Sequence, residues 1–281
     1  MFTEPRSLGW RTDLIFARFD GKVAPRSDHL VIRTPPNPTF WWGNFLLFDH
    51  APRAGDAARW LARFADEIAE PQAESRHVTF GVDSETTFEL PADFAAAGLT
   101  QFASTVLTMH RSQLRAPRRA LHADFRIAAL RLPEQAAEAV ELQVAADAGA
   151  TESGAAYRLF RQRQMRRFEA MSRADMGEWF AVFARADNGS ETMVADCGLF
   201  RAPGESLGRF QHVVTHPSWR RRGLCSALIH AVCRHGFEAM GLQTLVIVAD
   251  PDDVAIGLYE SLGFERGANT WHLEKPAPRP A

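Results

Sequence analysis

The pattern of apolar and polar positions in the second half of the chain predicts alternating strands and helices. An apolar strand at residues 125–132 is followed by Pro133, which suits the first turn of a helix that runs to about residue 148. A second helix, at 152–173, has its apolar residues on one stripe and its arginines on what we expect to be a solvated face. The elements that follow are strands at 179–186, 192–201 and 209–215, a helix at 223–240, a strand at 244–249, a short helix at 254–261 and a strand at 270–273. The order βααβββαβαβ is typical of a mixed α/β layer.

The first half of the chain repeats the end of this pattern. In each half an apolar strand ends in an aspartate, Asp83 or Asp250, and a short helix follows it. That helix carries an aromatic residue at the matching place, Phe94 in the first half and Tyr259 in the second. Segments 42–48 and 57–68 correspond in the same way to 210–215 and 223–240. We therefore expect two tandem copies of one α/β fold, the first of them degenerate. A chance likeness between two α/β modules is the alternative.

A basic, proline-containing stretch at residues 111–119 divides the two halves and is predicted to be a linker. The 281 residues, with 46% hydrophobic positions, suffice for two domains that each bury a core. We therefore expect a degenerate first domain at residues 1–115 and a second domain at residues 116–281.

The composition indicates a soluble protein without a metal or a nucleic-acid partner. Three cysteines, an odd number without metal-ligand spacing, predict neither a disulfide framework nor a metal site. A formal net charge of -2 argues against nucleic acid, because general binders of nucleic acid carry a positive excess. We see no signal-peptide pattern and no run of about eighteen apolar residues, so we expect a cytoplasmic protein with no membrane partner. The sequence is compatible with a homodimer as well as with a monomer.

The loop between the strand at 209–215 and the next helix carries the clearest chemical signal. It contains three consecutive arginines, and Gly223 follows them. A strand that passes through a short loop into a helix directs several backbone N–H groups at one place, which the helix dipole makes positive. The small residues Gly223, Cys225 and Ser226 allow a ligand to approach the backbone closely. The pattern predicts an anion site that fits a diphosphate, and a solvated run of charge is the alternative.

Together with a second motif, this loop makes residues 122–276 resemble the GCN5-related N-acetyltransferase (GNAT) superfamily. The phosphate loop of that family reads Gln/Arg-x-x-Gly-x-Gly/Ala, and Arg220, Gly223 and Cys225 occupy those places here. A second signature, Ala-x-x-Leu-Tyr and then Gly-Phe, is matched by Ala255, Leu258, Tyr259, Gly263 and Phe264. In two departures from the family, Cys225 stands where Gly or Ala is usual, and Asp252 stands where Asn is common. We expect Asp252 to cap the helix that follows it.

The resemblance implies a GNAT-like acyl-CoA fold, with acetyl-CoA as co-substrate, an amine as acceptor and no metal. In this family the pantetheine arm pairs with the strand before the phosphate loop, and the pyrophosphate lies on the amides at the helix start. The residues that the resemblance assigns to co-substrate binding are Val213, Val214, Thr215, Arg220, Arg221, Arg222, Gly223, Leu224, Cys225, Ser226, Asp252 and Ala255. We expect the acyl group to pass directly from the co-substrate to the acceptor amine. The alternative is an acyl-enzyme on Cys225, for which the sequence places no partner histidine.

Tyr259 is the candidate general acid, because the departing CoA thiolate needs a proton. The chain has 20 Phe and 2 Tyr, so a residue that merely filled space would more often be Phe. Phe94, at the corresponding place in the first half, lacks the hydroxyl. A buried structural tyrosine is the alternative.

The acceptor amine must lose a proton, so a base is expected near the strand at 209–215. The candidates are Asp196, Gln211, His212 and His216. We rank His212 first, because the unperturbed pKa of histidine suits a base near neutral pH. A surface or structural role is the alternative for each of them.

These features predict an N-acetyltransferase with one active site per chain, in the second half. Because no base has a diagnostic spacing, a non-catalytic acyl-CoA sensor is the alternative. The sequence leaves the acceptor open among small amines, amino acids, antibiotics and protein N-termini, and the acyl group could be larger than acetyl.

Overall fold

A computed structural model describes residues 1–147 and 154–277, which form two compact units. The first unit consists of Met1–Val106, Val248–Pro251 and the C-terminal stretch from Gly267. The second unit consists of Leu107–Ile247 and Asp252–Arg266.

This division differs from the expected boundary between residues 115 and 116 in two respects. The second unit already begins at Leu107, and the last strand of the chain belongs to the first unit. Backbone pairing is the physical reason for the second difference, because residues 271–275 run antiparallel to residues 78–82. The C-terminal segment thus completes a sheet that the N-terminal half begins.

The first unit starts with helix α1 (Leu8–Asp20), which is capped by the Oγ of Ser7 through a 3.1 Å hydrogen bond from the Gly9 N–H. The following elements are β1 (Lys22–Pro25), β2 (His29–Arg33), β3 (Phe45–Phe48), α2 (Ala57–Phe64), β4 (Val78–Val82), α3 (Ala92–Ala96) and β5 (Thr100–His110), whose end from Leu107 lies in the second unit. The four segments that the repeat predicted are present as β3, α2, β4 and α3. A π-helical turn at Ala65–Ala69 extends α2.

The sheet of the first unit has the order β1-β2-β3-β4, followed by β11 (Glu265–Lys275). Strands β3 and β4 are parallel, and the other neighbours are antiparallel. An aromatic core covers this sheet. The rings of Phe48 and Trp60 stack with centroids 3.5 Å apart, and Phe94 meets Trp60 edge-on at 5.3 Å.

The second half of the chain follows the predicted order βααβββαβαβ, with most of its last strand in the first unit. Its elements are β6 (Phe125–Ala129), α4 (Ala136–Ala146), α5 (Gly154–Arg173), β7 (Gly177–Arg185), β8 (Glu191–Arg201), β9 (Leu207–Thr215), α6 (Leu224–Glu238), β10 (Thr244–Ala249), α7 (Ala255–Leu262) and the start of β11. The expected start of α5 at residue 152 lies outside the described residues. The mixed α/β fold predicted from the apolar pattern is confirmed.

Two irregularities of β9 create the space for a site in the second unit. Strands β6, β7, β8 and β9 are antiparallel neighbours, whereas β9 and β10 run parallel and pair only from Leu207 to Arg209. Asp196 of β8 lies opposite Val214, and Gly198 lies opposite Gln211, so β9 has two residues against one at this point. Such a bulge bends a strand and increases its twist.

Candidate active site

A cleft of about 850 Å³ lies in the second unit, where β9 ends and α6 begins. This volume is within the range of small-molecule sites. Gln143 and Asp147 at the end of α4 and Tyr157 on α5 form one side of the cleft. The predicted site residues that line it are His212, Val213, Val214, Thr215, Arg220, Arg221, Gly223, Leu224, Cys225, Ala255 and Tyr259.

Three predicted residues do not line this cleft. The Arg222 guanidinium lies 4.6 Å from the centroid of the Trp219 ring, in a cation–π contact. The Ser226 hydroxyl donates a 2.9 Å hydrogen bond to the Gly223 carbonyl oxygen. Asp252 is exposed.

The helix cap expected from Asp252 is made by the next residue. The Asp253 Oδ1 accepts a 2.8 Å hydrogen bond from the Ala255 N–H at the start of α7. An aspartate side chain can accept a hydrogen bond from the backbone N–H two residues later in the chain. The N–H of the first residue of α7 therefore bonds to Asp253. The expectation for Asp252 as a cap was therefore wrong by one position.

The anion corner predicted from the arginine-glycine loop is built by left-handed backbone. Arg221 has φ = +63° and Gly223 has φ = +78°, and Leu224 then begins α6. Left-handed residues in such a loop turn neighbouring backbone N–H groups to one side, which makes an anion-binding concavity. The first N–H groups of α6 have no partner within the helix, and no side chain caps them. The corner therefore offers donors and positive charge to an anionic group.

The arginines of the loop differ in their surroundings. Arg220 is tied to the backbone, since its Nε donates to the Thr215 carbonyl oxygen at 3.2 Å. Its Nη2 donates to the Ala146 carbonyl oxygen at 3.4 Å. Arg221 lines the cleft and is exposed. Arg220 thus fixes the loop, while Arg221 is accessible to a ligand.

The end of β9 offers a strand edge to the cleft. Its pairing with β10 ends at Arg209, whereas its pairing with β8 continues to Thr215, opposite Ala195. Val213, Val214 and Thr215 line the cleft beyond the last pair with β10. An extended ligand can pair with such an edge as an added strand.

Tyr259 reaches the cleft from α7. Its side chain is 5% exposed, and its ring lies 6.1 Å from that of Phe264. Burial raises the pKa of Tyr259 above the ordinary value of a phenol. The hydroxyl is therefore protonated at neutral pH, as a proton donor must be.

A network of buried polar side chains extends behind the cleft. The Asp196 Oδ2 accepts hydrogen bonds from Gln143 Nε2 at 2.8 Å and from Trp179 Nε1 at 2.9 Å. The Gln143 Oε1 in turn accepts a 2.9 Å bond from Arg161 Nε, and Arg161 Nη1 donates to Gln164 Oε1 at 2.7 Å. Burial raises the pKa of Asp196 to about 7, against the opposing effects of these partners. Its charge is thus easily changed near neutral pH.

Most of this network is not apparent from the sequence. The arginines of α5 were expected to form a solvated face, but Arg161 and Arg167 are buried. A signal was present for Arg161, which lies four residues after Tyr157 and four before Met165, on the apolar stripe of the helix. Nothing in the sequence indicated that Gln143 would join Arg161 to Asp196.

His212 lies in the bulge of β9 with φ = +43° and lines the cleft. Its Nε2 is buried and has no hydrogen-bond partner within the described part of the chain. Burial, and then the positive charge of Arg161, lower the pKa of His212 well below the ordinary value. The imidazole is therefore neutral at pH 7, and it is a weaker base than the unperturbed histidine that we assumed from the sequence.

The other candidate bases lie elsewhere. Gln211 and His216 do not line the cleft, and the His216 Nδ1 accepts a 3.3 Å hydrogen bond from the Ser218 N–H.

Cys225, the alternative nucleophile, lines the cleft, but burial raises the pKa of its thiol to about 12. A thiol with so high a pKa is protonated, and only the thiolate is a good nucleophile.

The corresponding region of the first unit is closed. Strands β3 and β4 stay paired to Phe48 and Val82, and the Asp83 N–H still donates to the Phe48 carbonyl oxygen at 2.8 Å. The Trp10 indole donates to the Val82 carbonyl oxygen at 3.2 Å. Phe94, which takes the place of Tyr259, is fully buried. At this place the first unit thus offers neither an unpaired strand edge nor the hydroxyl of a tyrosine.

Two further properties concern the described residues as a whole. Between residues 1–147 and 154–277, no three His, Cys, Asp or Glu side chains are grouped so that they could hold a metal ion. None of the helices in these ranges is long and apolar enough to cross a membrane.

Comparison with known proteins identifies a family for part of the second unit. Residues 145–264 match the model of the Acetyltransferase (GNAT) family. No curated protein gives a significant match to the sequence.

Similar solved structures extend over both units. A functionally unknown conserved protein from Staphylococcus epidermidis ATCC 12228 has a TM-score of 0.69 at 14% identity, over 92% of this chain and 96% of that chain. A GCN5-related N-acetyltransferase from Kribbella flavida has a TM-score of 0.62 at 17% identity, over 97% and 98% of the two chains. A tandem GNAT protein from the clavulanic acid biosynthesis pathway has a TM-score of 0.55 at 19% identity, over 99% and 92%. At these identities the likeness concerns the fold alone. Residues 145–264 therefore form an acyltransferase domain of the GNAT family, in a chain that shares the fold of a tandem GNAT protein over nearly its whole length.

Proposed function

We propose that the second unit transfers an acetyl group from acetyl-CoA to an amine, by direct attack of the amine on the thioester. The observation that carries this proposal is the cleft itself. It combines the anion corner at Gly223, the open edge of β9 and the buried hydroxyl of Tyr259 in one connected space. An acyl-CoA would use each of these features: N–H donors for its diphosphate, a strand edge for its extended pantetheine arm and a proton donor for its thiolate.

The anion corner and the β9 edge would hold the co-substrate. Backbone N–H groups at Leu224, Cys225 and Ser226 have no helical partner and would donate to the diphosphate. Arg221 adds charge, and its guanidinium can bind phosphate oxygens through two parallel hydrogen bonds. Val213 to Thr215 would pair with the amide groups of the pantetheine arm. The thioester end then lies toward the bulge of β9.

Tyr259 would protonate the departing thiolate. Its raised pKa keeps the proton on the phenol at neutral pH. A thiolate is ordinarily a weaker base than a phenolate, so the transfer requires the hydroxyl to be positioned beside the sulfur on which the charge develops. The proton then passes from the hydroxyl to the sulfur as the carbon–sulfur bond breaks.

The acceptor must enter as a neutral amine. With a pKa of about 10.4, only about one primary amine in 2,500 is neutral at pH 7, a penalty of about 4.6 kcal/mol. His212 lines the cleft as a neutral imidazole and is our candidate for the base. Because its pKa is lowered, His212 would hold the proton only briefly and pass it to solvent.

Cys225 has no covalent role in this proposal. Its thiol is protonated at neutral pH and lies at the start of α6, where the co-substrate phosphates would cover it. Transfer without an acyl-enzyme follows from these two properties.

The proposal also assigns different roles to the two halves of the chain. The second half, which we delimited as residues 116–281, is catalytic, and the first half, residues 1–115, keeps a degenerate copy of the scaffold. The closed strand pair at Phe48 and Val82 supports this assignment. The acceptor is a small amine or a peptide N-terminus.

Thiol release from acetyl-CoA, measured against a panel of amines, amino acids and peptides, tests the proposal. We expect release with at least one acceptor and none without an acceptor. Measurable acetyl-CoA binding without release for any acceptor would favour a non-catalytic acyl-CoA sensor. Absence of acetyl-CoA binding would contradict the proposal altogether.

A further inference from the structure

A second, smaller pocket of about 420 Å³ adjoins the anion corner within the second unit. Its walls include Arg118, Arg119, Arg221, Ser226 and Ser261. The first two belong to the segment after β5, for which a linker was predicted. The family match begins at residue 145, so these two arginines lie outside the range that matches the family.

The charge of this pocket is uncompensated. It has three arginines in its walls and no aspartate or glutamate. None of the three guanidinium groups has a hydrogen-bond or ion-pair partner among residues 1–147 and 154–277. Other arginines of the second unit do pair with carboxylates, namely Arg126, Arg158, Arg234 and Arg266. Three unpaired cations around one concave surface attract an anion with several negative charges.

The linker segment is held against the catalytic helices. The Arg115 N–H donates a 2.8 Å hydrogen bond to the Leu262 carbonyl oxygen at the end of α7. A Cβ on Gly263 would lie 1.9 Å from the Gln113 carbonyl oxygen, so the segment passes directly over that glycine. A Cβ on Gly223 would lie 3.8 Å from the Cβ of Arg119. Arg119 therefore stands beside the anion corner itself.

The pocket is continuous with the acyl-CoA cleft. Arg221, Gly223 and Leu258 line both of them. A ligand whose diphosphate lies at Gly223 can therefore extend its far end into the smaller pocket. In acyl-CoA that far end is a nucleoside with a phosphomonoester, which carries nearly two negative charges on a single phosphate at neutral pH.

We propose that Arg118 and Arg119 bind the phosphomonoester at the nucleotide end of acyl-CoA, and so give the enzyme a preference for the phosphorylated co-substrate. This inference rests on the proposed function, because it assumes that acyl-CoA occupies the main cleft. Two adjacent guanidinium groups can each present paired N–H donors to phosphate oxygens. A segment outside the range that matches the family thereby becomes part of the co-substrate site.

Calorimetric titration of the full chain with acetyl-CoA and with acetyl-3'-dephospho-CoA tests this inference. We expect the wild type to bind acetyl-CoA at least about tenfold more tightly than the dephospho form. The double variant Arg118→Ala/Arg119→Ala should bind both forms with the affinity that the wild type has for the dephospho form. The matched control Arg131→Ala/Arg166→Ala removes two exposed arginines outside both pockets, and it should keep the preference.

The outcomes separate this inference from the proposed function. Equal binding of the two ligands to the wild type would overturn the inference and leave the proposed function standing. A preference that survives in the Arg118→Ala/Arg119→Ala variant, or disappears in the control, would overturn the role of these two arginines. If neither ligand binds, the proposed function and the inference fail together.

Discussion

The carboxylate of Asp93 accepts a 3.0 Å hydrogen bond from the backbone N–H of Ala57, the first residue of α2. The same oxygen accepts a second 3.0 Å bond from the Gly55 N–H. In the second unit the corresponding helix, α6, starts after Gly223 without a side-chain cap, and the cleft opens there. The chain thus fills one helix N-terminus with its own carboxylate and leaves the other free for a ligand.

From this difference we predict one acetyl-CoA bound per chain. Replacing Asp93 with Ala removes two hydrogen bonds to the backbone and should lower the free energy of unfolding by about 1–2 kcal/mol. The binding stoichiometry should remain one, because Phe48 and Val82 still close the strand pair of the first unit. Calorimetric titration gives the stoichiometry of both proteins. A second site in either of them would contradict the assignment of a single active site.

Gly223 and Gly189 provide a matched test of the anion corner. Both are left-handed, with φ = +78° and +80°, and both have room for a Cβ. Each Gly→Ala change should therefore lower the free energy of unfolding by a similar amount, about 1 kcal/mol.

Only the change at Gly223 should weaken acetyl-CoA binding, because Gly189 lies in the hairpin turn between β7 and β8. We expect a loss of about tenfold or more for Gly223→Ala, since a Cβ at this position would occupy space through which a ligand approaches the backbone N–H groups of the corner. Melting temperatures and dissociation constants of the two variants make the comparison. Equal affinities would show that the corner does not hold the co-substrate.

The titration of Asp196 should make the free energy of unfolding depend on pH. The pKa of an unfolded aspartate is about 3.9, and burial raises the pKa of Asp196 to about 7. Between these two values the folded state keeps a proton that the unfolded state has released. The free energy of unfolding should therefore fall as the pH rises from about 4 to about 7, and the loss is complete above that range.

Asp196→Asn removes this titration and keeps an oxygen that can accept from Gln143 and Trp179. We expect the variant to gain stability relative to the wild type between about pH 5 and about pH 8. Denaturant unfolding of both proteins at the two pH values measures the change. A difference between variant and wild type that does not vary with pH would show that Asp196 is ionised throughout.

Cys225 can be replaced if transfer is direct. Its thiol is protonated, because burial raises the pKa to about 12. Cys225→Ala restores a residue that the family tolerates at this place, and the turnover number should stay within about threefold. A loss of about 10³-fold in turnover, together with a trapped acyl-enzyme in the wild type, would support the nucleophilic alternative.

Local patterns predicted most elements and most of the cleft. The arginine-glycine loop with Leu258-Tyr259 and Gly263-Phe264 is compact in sequence, and its residues fold together around one helix start. Strand and helix periodicity likewise depends on near neighbours. The segment at residues 8–33, for which we predicted nothing, forms α1, β1 and β2.

What the sequence did not reveal depends on distant partners. The pairing of the last strand with β4 joins residues nearly 200 positions apart, and no local pattern specifies it. The lowered pKa of His212 results from burial and from Arg161 on another helix. The hydrogen bond from the Ala57 N–H, at the start of α2, to Asp93 likewise depends on the tertiary structure, since the two residues are 36 positions apart.

The most direct test of the account is the effect of Tyr259→Phe on turnover at unchanged co-substrate affinity. The change removes one hydroxyl and keeps the ring that packs near Phe264, so the fold and the dissociation constant for acetyl-CoA should hardly change. Turnover measured by thiol release should fall by about 10²-fold or more, the usual scale of general-acid catalysis. Unchanged turnover with intact acetyl-CoA binding would remove Tyr259 from the mechanism and contradict the central claim.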